Sequence, residues 1–295
     1  MNKNQMVGRT FALSAAIFYG FNTTLSRLAY DTGTTPVSLT IYRFLMSTLL
    51  MIAIVLVLRK QWRLQVSPLV FACCVFGMVA TSIGHLGAVN YSPVSLSAII
   101  FYTFPLLVVI YKRIAQRQPV SRYELLAFAM AFVGIAIALG PSFHRLDPIG
   151  LGLAAFGAFG AALFILSYER FPEDTDSYTG TLWIMIASVA FSLMALQFGF
   201  DLVPPKENVG WLYLMAITFC SVVAFVLSLQ AINQVGGAIF ALFLNFEPVI
   251  ILVLAWLVIG EQLTLQRITG IALIVAALFL SHRRVKPVQT AEVSP

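Results

Sequence analysis

Two stretches of the chain, residues 88–105 (AVNYSPVSLSAIIFYTFP) and residues 231–248 (AINQVGGAIFALFLNFEP), carry similar residues at matching places. They lie 143 residues apart, and the same offset aligns the chain without a gap on both sides of them. Matching leucines could arise by chance in an apolar chain, but matching Arg, Asp, Asn and Pro at one offset could not. These matches are Arg27 with Arg170, Asp31 with Asp174, Asn90 with Asn233, and Pro105 with Pro248. The chain is therefore predicted to contain two copies of one unit.

The composition indicates which solvent surrounds these copies. Hydrophobic residues make up 60% of the chain, charged residues only 10%, and the mean hydropathy is +0.91. Because soluble domains carry about 25% charged residues, this composition predicts an all-α integral membrane protein in a lipid bilayer. The net charge of +6 comes from basic residues that lie mainly between apolar runs. We therefore attribute it to membrane topology and expect no nucleic-acid partner.

Ten apolar segments are long enough to cross about 30 Å of hydrocarbon. The predicted spans are 8–30, 36–58, 67–89, 93–111, 122–140, 149–168, 178–200, 209–232, 236–258 and 264–281. The first five-helix repeat is placed at 1–143, the second at 144–286, and a disordered cytoplasmic tail at 287–295. Since five is an odd number, the second copy must enter the membrane from the opposite side. Lys and Arg concentrate in the loops on the side of the N-terminus, which predicts that both termini are cytoplasmic.

Inverted repeats are typical of secondary transporters, in which two similar halves exchange conformations around a central site. No Walker-type glycine loop, HExxH or GxSxG motif occurs in the chain. We therefore expect no enzyme activity, no cofactor and no metal, and we expect that ATP does not drive the protein directly.

The repeated stretches 88–105 and 231–248 also carry a family resemblance, together with Tyr42-Arg43-Phe44, the run GEQLT at 260–264, and Gly270. On these residues the chain resembles the EamA-domain members of the drug/metabolite transporter superfamily. It looks most like the bacterial exporters of aromatic and other amino acids of the YddG type. The resemblance implies ten helices in the bacterial inner membrane and a central cavity. Parts of the first, third, fourth, sixth, eighth and ninth helices would line that cavity.

Three ionisable residues lie well inside predicted spans, away from their ends, where a charge costs about 2.5 to 3.5 kcal/mol on insertion scales. Glu247 precedes Pro248 and could couple protons or bind a substrate amine; alternatively it is a protonated acid hydrogen-bonded at a helix kink. His85 could bind substrate or protons, or it could be a packing residue. Arg43 is interpreted as structural, because the second helix is peripheral in the family and the side chain could reach the outer surface.

Further candidates are polar and aromatic residues on the presumed cavity helices. Asn22 and Asn245 are costly in lipid without partners, so they should point inward. The aromatic candidates could stack on an apolar substrate, although most aromatic residues in such a chain contact lipid or other helices. The predicted substrate-binding set is His85, Tyr102, Asn245, Glu247, Asn22, Tyr19, Ser228 and Phe101. The offset pairs His85 with Ser228, Tyr102 with Asn245, and Phe104 with Glu247.

Glycines at helical spacing on the third and sixth spans predict close helix packing there, with rocking of one bundle past another as the sharper possibility. They include Gly77 and Gly84 on the third span, and Gly157 and Gly160 on the sixth.

The cavity helices were expected to carry few fixed charges and almost no Lys or Arg. Aromatic faces and amide groups suit a compact zwitterion, so the predicted function is export of small neutral or zwitterionic metabolites, amino acids first among them, by a monomer using alternating access. Phosphorylated substrates would need basic cavity residues. One alternative is multidrug efflux, against which the lack of an acidic residue in the first helix argues. The other is a membrane enzyme or flippase acting on lipid intermediates, which would need a cavity open sideways to lipid.

Overall fold

The computed structural model describes residues 3–92, 94–117, 121–140, 147–172, 174–194, 201–260 and 262–282. Every regular element within these ranges is helical. The helices are α1 (Lys3–Asp31), α2 (Pro36–Val57), α3 (Pro68–Tyr91), α4 (Val94–Phe101), α5 (Phe104–Ile114), α6 (Arg122–Leu139), α7 (Pro148–Tyr168), α8 (Ser177–Leu193), α9 (Asn208–Leu244), α10 (Glu247–Leu254) with a π-helical turn at Ala255–Ile259, and α11 (Leu265–His282). The predicted tail at 287–295 lies outside the described residues.

The helices have the length and composition of membrane spans. Within the described ranges, six apolar stretches are long enough to cross a bilayer, and shorter apolar helices accompany them. Large hydrophobic side chains also cover much of the outer surface, including Leu49, Val57, Ile114 and Phe279. A surface of this kind is stable against lipid but not against water. The protein is therefore a multi-pass membrane protein, while the count of ten spans remains a prediction.

The most extensive contacts between helices repeat at the 143-residue offset: when two helices form one of them, their counterparts do so as well. The long contact between α1 and α9 is repeated between α7 and α3, which are their counterparts at the 143-residue offset. The pairs α2 with α8 and α6 with α11 each join a helix to its own counterpart. This pattern is what a two-fold axis between two similar halves produces.

The contact between α3 and α7 depends on glycines that face each other. A Cβ atom added at Gly84 would lie 2.4 Å from the backbone nitrogen of Gly157, and one added at Gly77 would lie 2.7 Å from the carbonyl oxygen of Gly160. These separations are shorter than any ordinary contact, so only glycine allows the two backbones to approach this closely. The small residues of the third and sixth spans thus form one interface, as their spacing indicated.

The predicted fourth and ninth spans are each broken into two helices. The chain leaves the helix at 102–103, between α4 and α5, and again at 245–246, between α9 and α10. At both breaks the backbone makes the same three-residue hydrogen bonds: Thr103 N–H to the Ile100 carbonyl (3.1 Å), and Phe246 N–H to the Phe243 carbonyl (3.0 Å). A proline then lies in the first turn of each following helix, where its missing N–H costs nothing.

α9 combines the predicted eighth and ninth spans. Its 37 residues would extend for about 55 Å, well beyond the thickness of the hydrocarbon layer. The helix is interrupted at Gly236, whose φ of 79° and ψ of 161° are not helical. A positive φ of this size favours glycine, so the predicted boundary between the eighth and ninth spans is a kink at this residue.

Candidate functional site

A cavity of about 660 Å³ lies between the two halves of the molecule. Its walls come from α1, α2, α3, the break between α4 and α5, α7, both parts of α9, and α10 with the π-helical turn. The lining residues are Tyr19, Asn22, Thr23, Thr24, Ser26, Arg27, Tyr30, Arg43, Met78, Thr81, Ser82, His85, Phe101, Phe104, Ala161, Phe164, Ile165, Phe225, Phe240, Leu244, Glu247, Ile251 and Ala255. Pockets of this size hold small organic molecules.

Glu247 supplies the carboxyl group of the cavity. The break at 245–246 places it in the first turn of α10, where the N-terminal end of the helix favours a negative charge. The Thr23 hydroxyl on α1 donates a hydrogen bond to Glu247 Oε1 at 3.0 Å, which joins the second helix break to α1. Tyr102, at the break between α4 and α5, is 5% exposed and packs against Phe101 and Phe104 of the lining.

Arg43 also lines the cavity, although its sequence position was interpreted as peripheral and structural. Its guanidinium donates a hydrogen bond to Ser82 Oγ at 3.5 Å and lies 4.9 Å from the centre of the Phe44 ring. Arg27 is a second basic residue of the lining. The expectation that the cavity helices carry almost no Arg was therefore wrong, because α2 contributes to the wall and α1 turns Arg27 inward.

The candidates of α1 have partners on α9. Asn22, which is 5% exposed, donates a hydrogen bond from Nδ2 to Ser221 Oγ at 2.9 Å. Ser228 is fully buried; its hydroxyl donates to the Ala224 carbonyl at 2.7 Å and lies 3.3 Å from the Tyr19 hydroxyl. Tyr19 and Asn22 thus lie on the cavity wall, whereas Ser228 lies behind it and positions Tyr19.

The remaining candidates belong to the two helix breaks and to α3. The rings of His85 and Phe101 both line the cavity, with their centres 4.5 Å apart. His85 Nδ1 has no hydrogen-bond partner among the described residues. Asn245 is 3% exposed and lies outside the lining, and its Oδ1 likewise has no partner among the described residues. Of the eight predicted residues, five line the cavity and Tyr102 contacts one of them.

Polar contacts join α5, α7 and α9 at one end of the molecule, outside the cavity lining. Glu169, just after α7, accepts hydrogen bonds from Lys112 Nζ on α5 and from the backbone N–H of Gly237 (3.0 Å). The neighbouring Arg170 contacts the hydroxyl of Tyr111. We call the set Lys112, Glu169 and Gly237 the latch. Gly8 of α1 packs against Gln234 at this end, whereas Tyr30, at the other end of α1, lines the cavity.

The 143-residue offset relates the latch to the opposite end of the molecule. Glu169 corresponds to Ser26 and Lys112 corresponds to Ala255, and both counterparts line the cavity. Neither counterpart carries a charge. This ion pair therefore has no equivalent at the two positions related to it by the offset.

The site offers no ligand set for a metal. Within the described residues no three His, Cys, Asp or Glu side chains come together in a way that could hold an ion. The cavity chemistry consists of one carboxyl group, two guanidinium groups, one imidazole, several hydroxyls and a wall of aromatic rings. Such a site can bind and release an amphipathic molecule.

Comparison with known proteins identifies a family of membrane transporters. The model of the EamA-like transporter family matches residues 6–140 and 148–283. The uncharacterized transporter YoaV of Bacillus subtilis (strain 168) is 22% identical over 211 residues, covering 68% of this chain and 71% of that protein. An uncharacterized transporter of Archaeoglobus fulgidus is 21% identical over 273 residues, covering 84% of this chain and 89% of that protein.

A third relative, the uncharacterized transporter YyaM of Bacillus subtilis (strain 168), is 24% identical over 278 residues and covers 89% of each chain. A protein of known crystal structure aligns with a TM-score of 0.77 at 18% identity, covering 95% of this chain and 98% of that one. The structural alignment shows a shared fold.

Proposed function

Because this chain belongs to the EamA-like transporter family, we propose that it is a secondary transporter that exports small neutral or zwitterionic metabolites, with aromatic or hydrophobic amino acids first among them. The observation that carries the proposal is the cavity, in which Glu247 and Arg43 accompany a wall of phenylalanine rings. An amino acid presents two opposite charges and an apolar side chain, and this lining offers a partner for each. The YddG-type exporters, to which the sequence shows a resemblance, handle substrates of the same kind.

The proposed mechanism is alternating access. The latch closes one end of the cavity, while its uncharged counterparts Ser26 and Ala255 line the cavity toward the other end. In two halves related by a two-fold axis in the membrane plane, opening one end while closing the other requires only an exchange of conformations. The repeats are proposed to be residues 1–143 and 144–286, inserted in opposite orientations.

The proposed topology is compatible with export. With both termini in the cytoplasm of a bacterium, the latch lies on the cytoplasmic side of the inner membrane and the cavity opens outward. This is the conformation from which an exporter releases its substrate. We propose that the monomer is the functional unit.

The test is a transport screen in liposomes. Purified protein is reconstituted, and the uptake of individual radiolabelled amino acids is measured with and without a proton gradient. We expect uptake of phenylalanine and of large aliphatic amino acids above that of protein-free liposomes. If no amino acid crosses with correctly folded protein, the proposed substrate class is wrong.

A second candidate is efflux of hydrophobic cations on the same fold, favoured by one observation. Glu247 and the aromatic wall would also bind an organic cation, because both carboxylates and ring faces attract positive charge. Arg43 and Arg27 argue against it, since both would repel such a substrate. Export of a fluorescent lipophilic cation, with no transport of amino acids, would favour this candidate.

A further inference from the structure

We infer that Arg43 and Glu247 are the two poles of one substrate site, with Glu247 binding the ammonium group of an amino acid and Arg43 binding its carboxylate. The inference rests on the proposed function and deepens it. It assigns a role to Arg43, which the repeat and the family resemblance did not predict, and it fixes the orientation of the substrate in the cavity.

Glu247 is positioned to bind a cationic group. Its carboxyl accepts a hydrogen bond from the Thr23 hydroxyl of another helix, α1. Among the described residues, no Lys, Arg or His forms an ion pair with it. A carboxylate in a mostly apolar cavity is costly without a cationic partner, so a bound ammonium group would complete its environment.

Arg43 is in the complementary situation. It lies partly buried in the wall between α2 and α3, with a serine hydroxyl and a phenylalanine ring as its neighbours. No Asp or Glu of the described part of the chain forms an ion pair with it. A guanidinium presents a planar fork of donors that matches a carboxylate, and most of that fork is not used by Ser82.

The two poles are separate, which a zwitterion requires. If Arg43 and Glu247 formed an ion pair with each other, they would neutralise the site; in the described structure they do not. Tyr19, Arg43 and Glu247 line the same cavity. A substrate bound in this cavity is proposed to reach Glu247 with its ammonium group and Arg43 with its carboxylate.

The apolar part of the substrate has a distinct place. Phe101, Phe104, Phe164, Phe225 and Phe240 line the same cavity and come from both halves of the molecule. Phe164 and Phe225 pack edge to face with ring centres 5.7 Å apart. Rings arranged in this way accept another aromatic or aliphatic group by the same edge and face contacts. The site would therefore select for a hydrophobic side chain on the carbon atom that carries both charged groups.

Three related ligands separate the two poles. Phenylalanine carries both charges, phenethylamine lacks the carboxylate, and 3-phenylpropionate lacks the ammonium group. The binding of each to purified protein is measured by isothermal titration calorimetry. For the wild type we expect phenylalanine to bind about tenfold or more tightly than either analogue, because a hydrogen bond to a charged group contributes about this factor.

Substitutions at Arg43 and Glu247 then test which charged group of the ligand each residue binds. Arg43→Gln should weaken phenylalanine to the level of phenethylamine and leave phenethylamine within about twofold of its wild-type affinity. Glu247→Gln should weaken phenylalanine to the level of 3-phenylpropionate and leave that ligand nearly unchanged. Arg63→Gln is the control, because it removes the same charge from an exposed residue outside the cavity lining and should preserve the preference for phenylalanine over phenethylamine.

The outcomes separate this inference from the proposed function. If wild-type protein binds none of the three ligands, the proposed function fails and the inference with it. If wild-type protein binds phenylalanine but the Arg43→Gln protein keeps the full preference over phenethylamine, the inference alone is wrong. Should Arg43→Gln not fold, Arg43→Lys retains the charge without the fork, and it should show a reduced but measurable preference.

Discussion

At the scale of single residues, the cavity depends on short hydrogen-bonded pairs between helices. Thr23 and Glu247 are far apart in sequence, yet the Thr23 hydroxyl meets the carboxyl group at 3.0 Å. Tyr19 is similarly fixed by Ser228 from behind the wall. These pairs hold the polar groups of the site in place in a lining that is otherwise mostly apolar.

Thr23→Val is expected to weaken amino-acid transport through Glu247. The change keeps the size of the side chain but removes the donor to the carboxyl, which contributes about 1 kcal/mol and hence about a fivefold change in affinity. The measurement is the KM for phenylalanine uptake in proteoliposomes.

Thr24→Val is the control for this change. The Thr24 hydroxyl also lines the cavity, but it donates to the Gly20 carbonyl of its own helix at 3.0 Å. Its KM should stay within about twofold of the wild-type value. Equal effects of the two substitutions would show that the contact of Thr23 with Glu247 is not important for binding.

The sequence could predict some of these residues and not others. Glu247 and His85 stood out because ionisable side chains in apolar segments are costly, and both line the cavity. Arg43 carried the same signal, but it could not be distinguished from a side chain that reaches the membrane surface. Arg43 lines the cavity because α2 forms part of the cavity wall. Ser82, its hydrogen-bond partner, has no sequence signal of its own.

At the scale of helices, the molecule combines close glycine interfaces with broken spans. The interface of α3 with α7 is glycine-rich, whereas the equivalent positions of α1 and α9 carry larger residues such as Ile17 and Leu227. Contacts that are equivalent by the repeat thus differ in how closely the backbones approach.

Gly84→Ala is expected to destabilise the protein. The new methyl group would lie 2.4 Å from the backbone of α7, so the helices would have to separate, at a cost of about 1 to 3 kcal/mol for an overpacked contact. The measurement is the thermal unfolding midpoint in detergent, which should fall by several degrees.

Gly152→Ala provides the matched control on α7. A Cβ atom at Gly152 would meet nothing within 4 Å, so its unfolding midpoint should stay close to the wild-type value or rise. If Gly84→Ala were as stable as Gly152→Ala, the α3 and α7 backbones could not be as close as the structure has them.

The helix breaks illustrate what hydrophobic periodicity cannot predict. The segments 93–111 and 236–258 have the length and apolar content of continuous spans, and Pro105 and Pro248 signal only a local disturbance. The breaks at 102–103 and 245–246 come before the prolines, and three-residue hydrogen bonds at both sites stabilise them. The repeat predicted that the two segments would be alike, although not that both would be broken.

At the scale of the whole molecule, the two ends of the cavity differ. Helices related by the 143-residue offset have reciprocal partners, but the ion pair of Lys112 with Glu169 lies at one end and has no charged counterparts at the positions related to it by the offset. The difference between the two ends depends on the contacts of a few side chains at the helix ends. Alternating access would form and break these contacts.

Glu169→Gln is expected to favour opening at the latch. It leaves Lys112, which is 8% exposed, without its counter-charge, and therefore destabilises the closed end. The opposite end is followed with Ser26→Cys in a protein that lacks the native cysteines. The rate at which this cysteine reacts with a membrane-impermeant thiol reagent measures how often the cavity is open at Ser26. Adding Glu169→Gln should slow this reaction several-fold, because fewer molecules remain open at Ser26.

Asp176→Asn is the control for the latch. It breaks the other described ion pair, Lys60 with Asp176, in which both side chains are about one-third exposed. The labelling rate at Ser26→Cys should not change. Unchanged labelling in the Glu169→Gln background as well would mean that the latch does not govern access to the cavity.

The measurement that tests amino-acid transport by alternating access most directly is counterflow. Liposomes containing the wild-type protein are loaded with unlabelled phenylalanine and diluted into a trace of labelled phenylalanine. A carrier that exposes its site to one side at a time should accumulate label transiently above its equilibrium level, and Glu247→Gln should reduce this overshoot. Label that enters without an overshoot would contradict alternating access, and label that does not enter at all would contradict transport of phenylalanine.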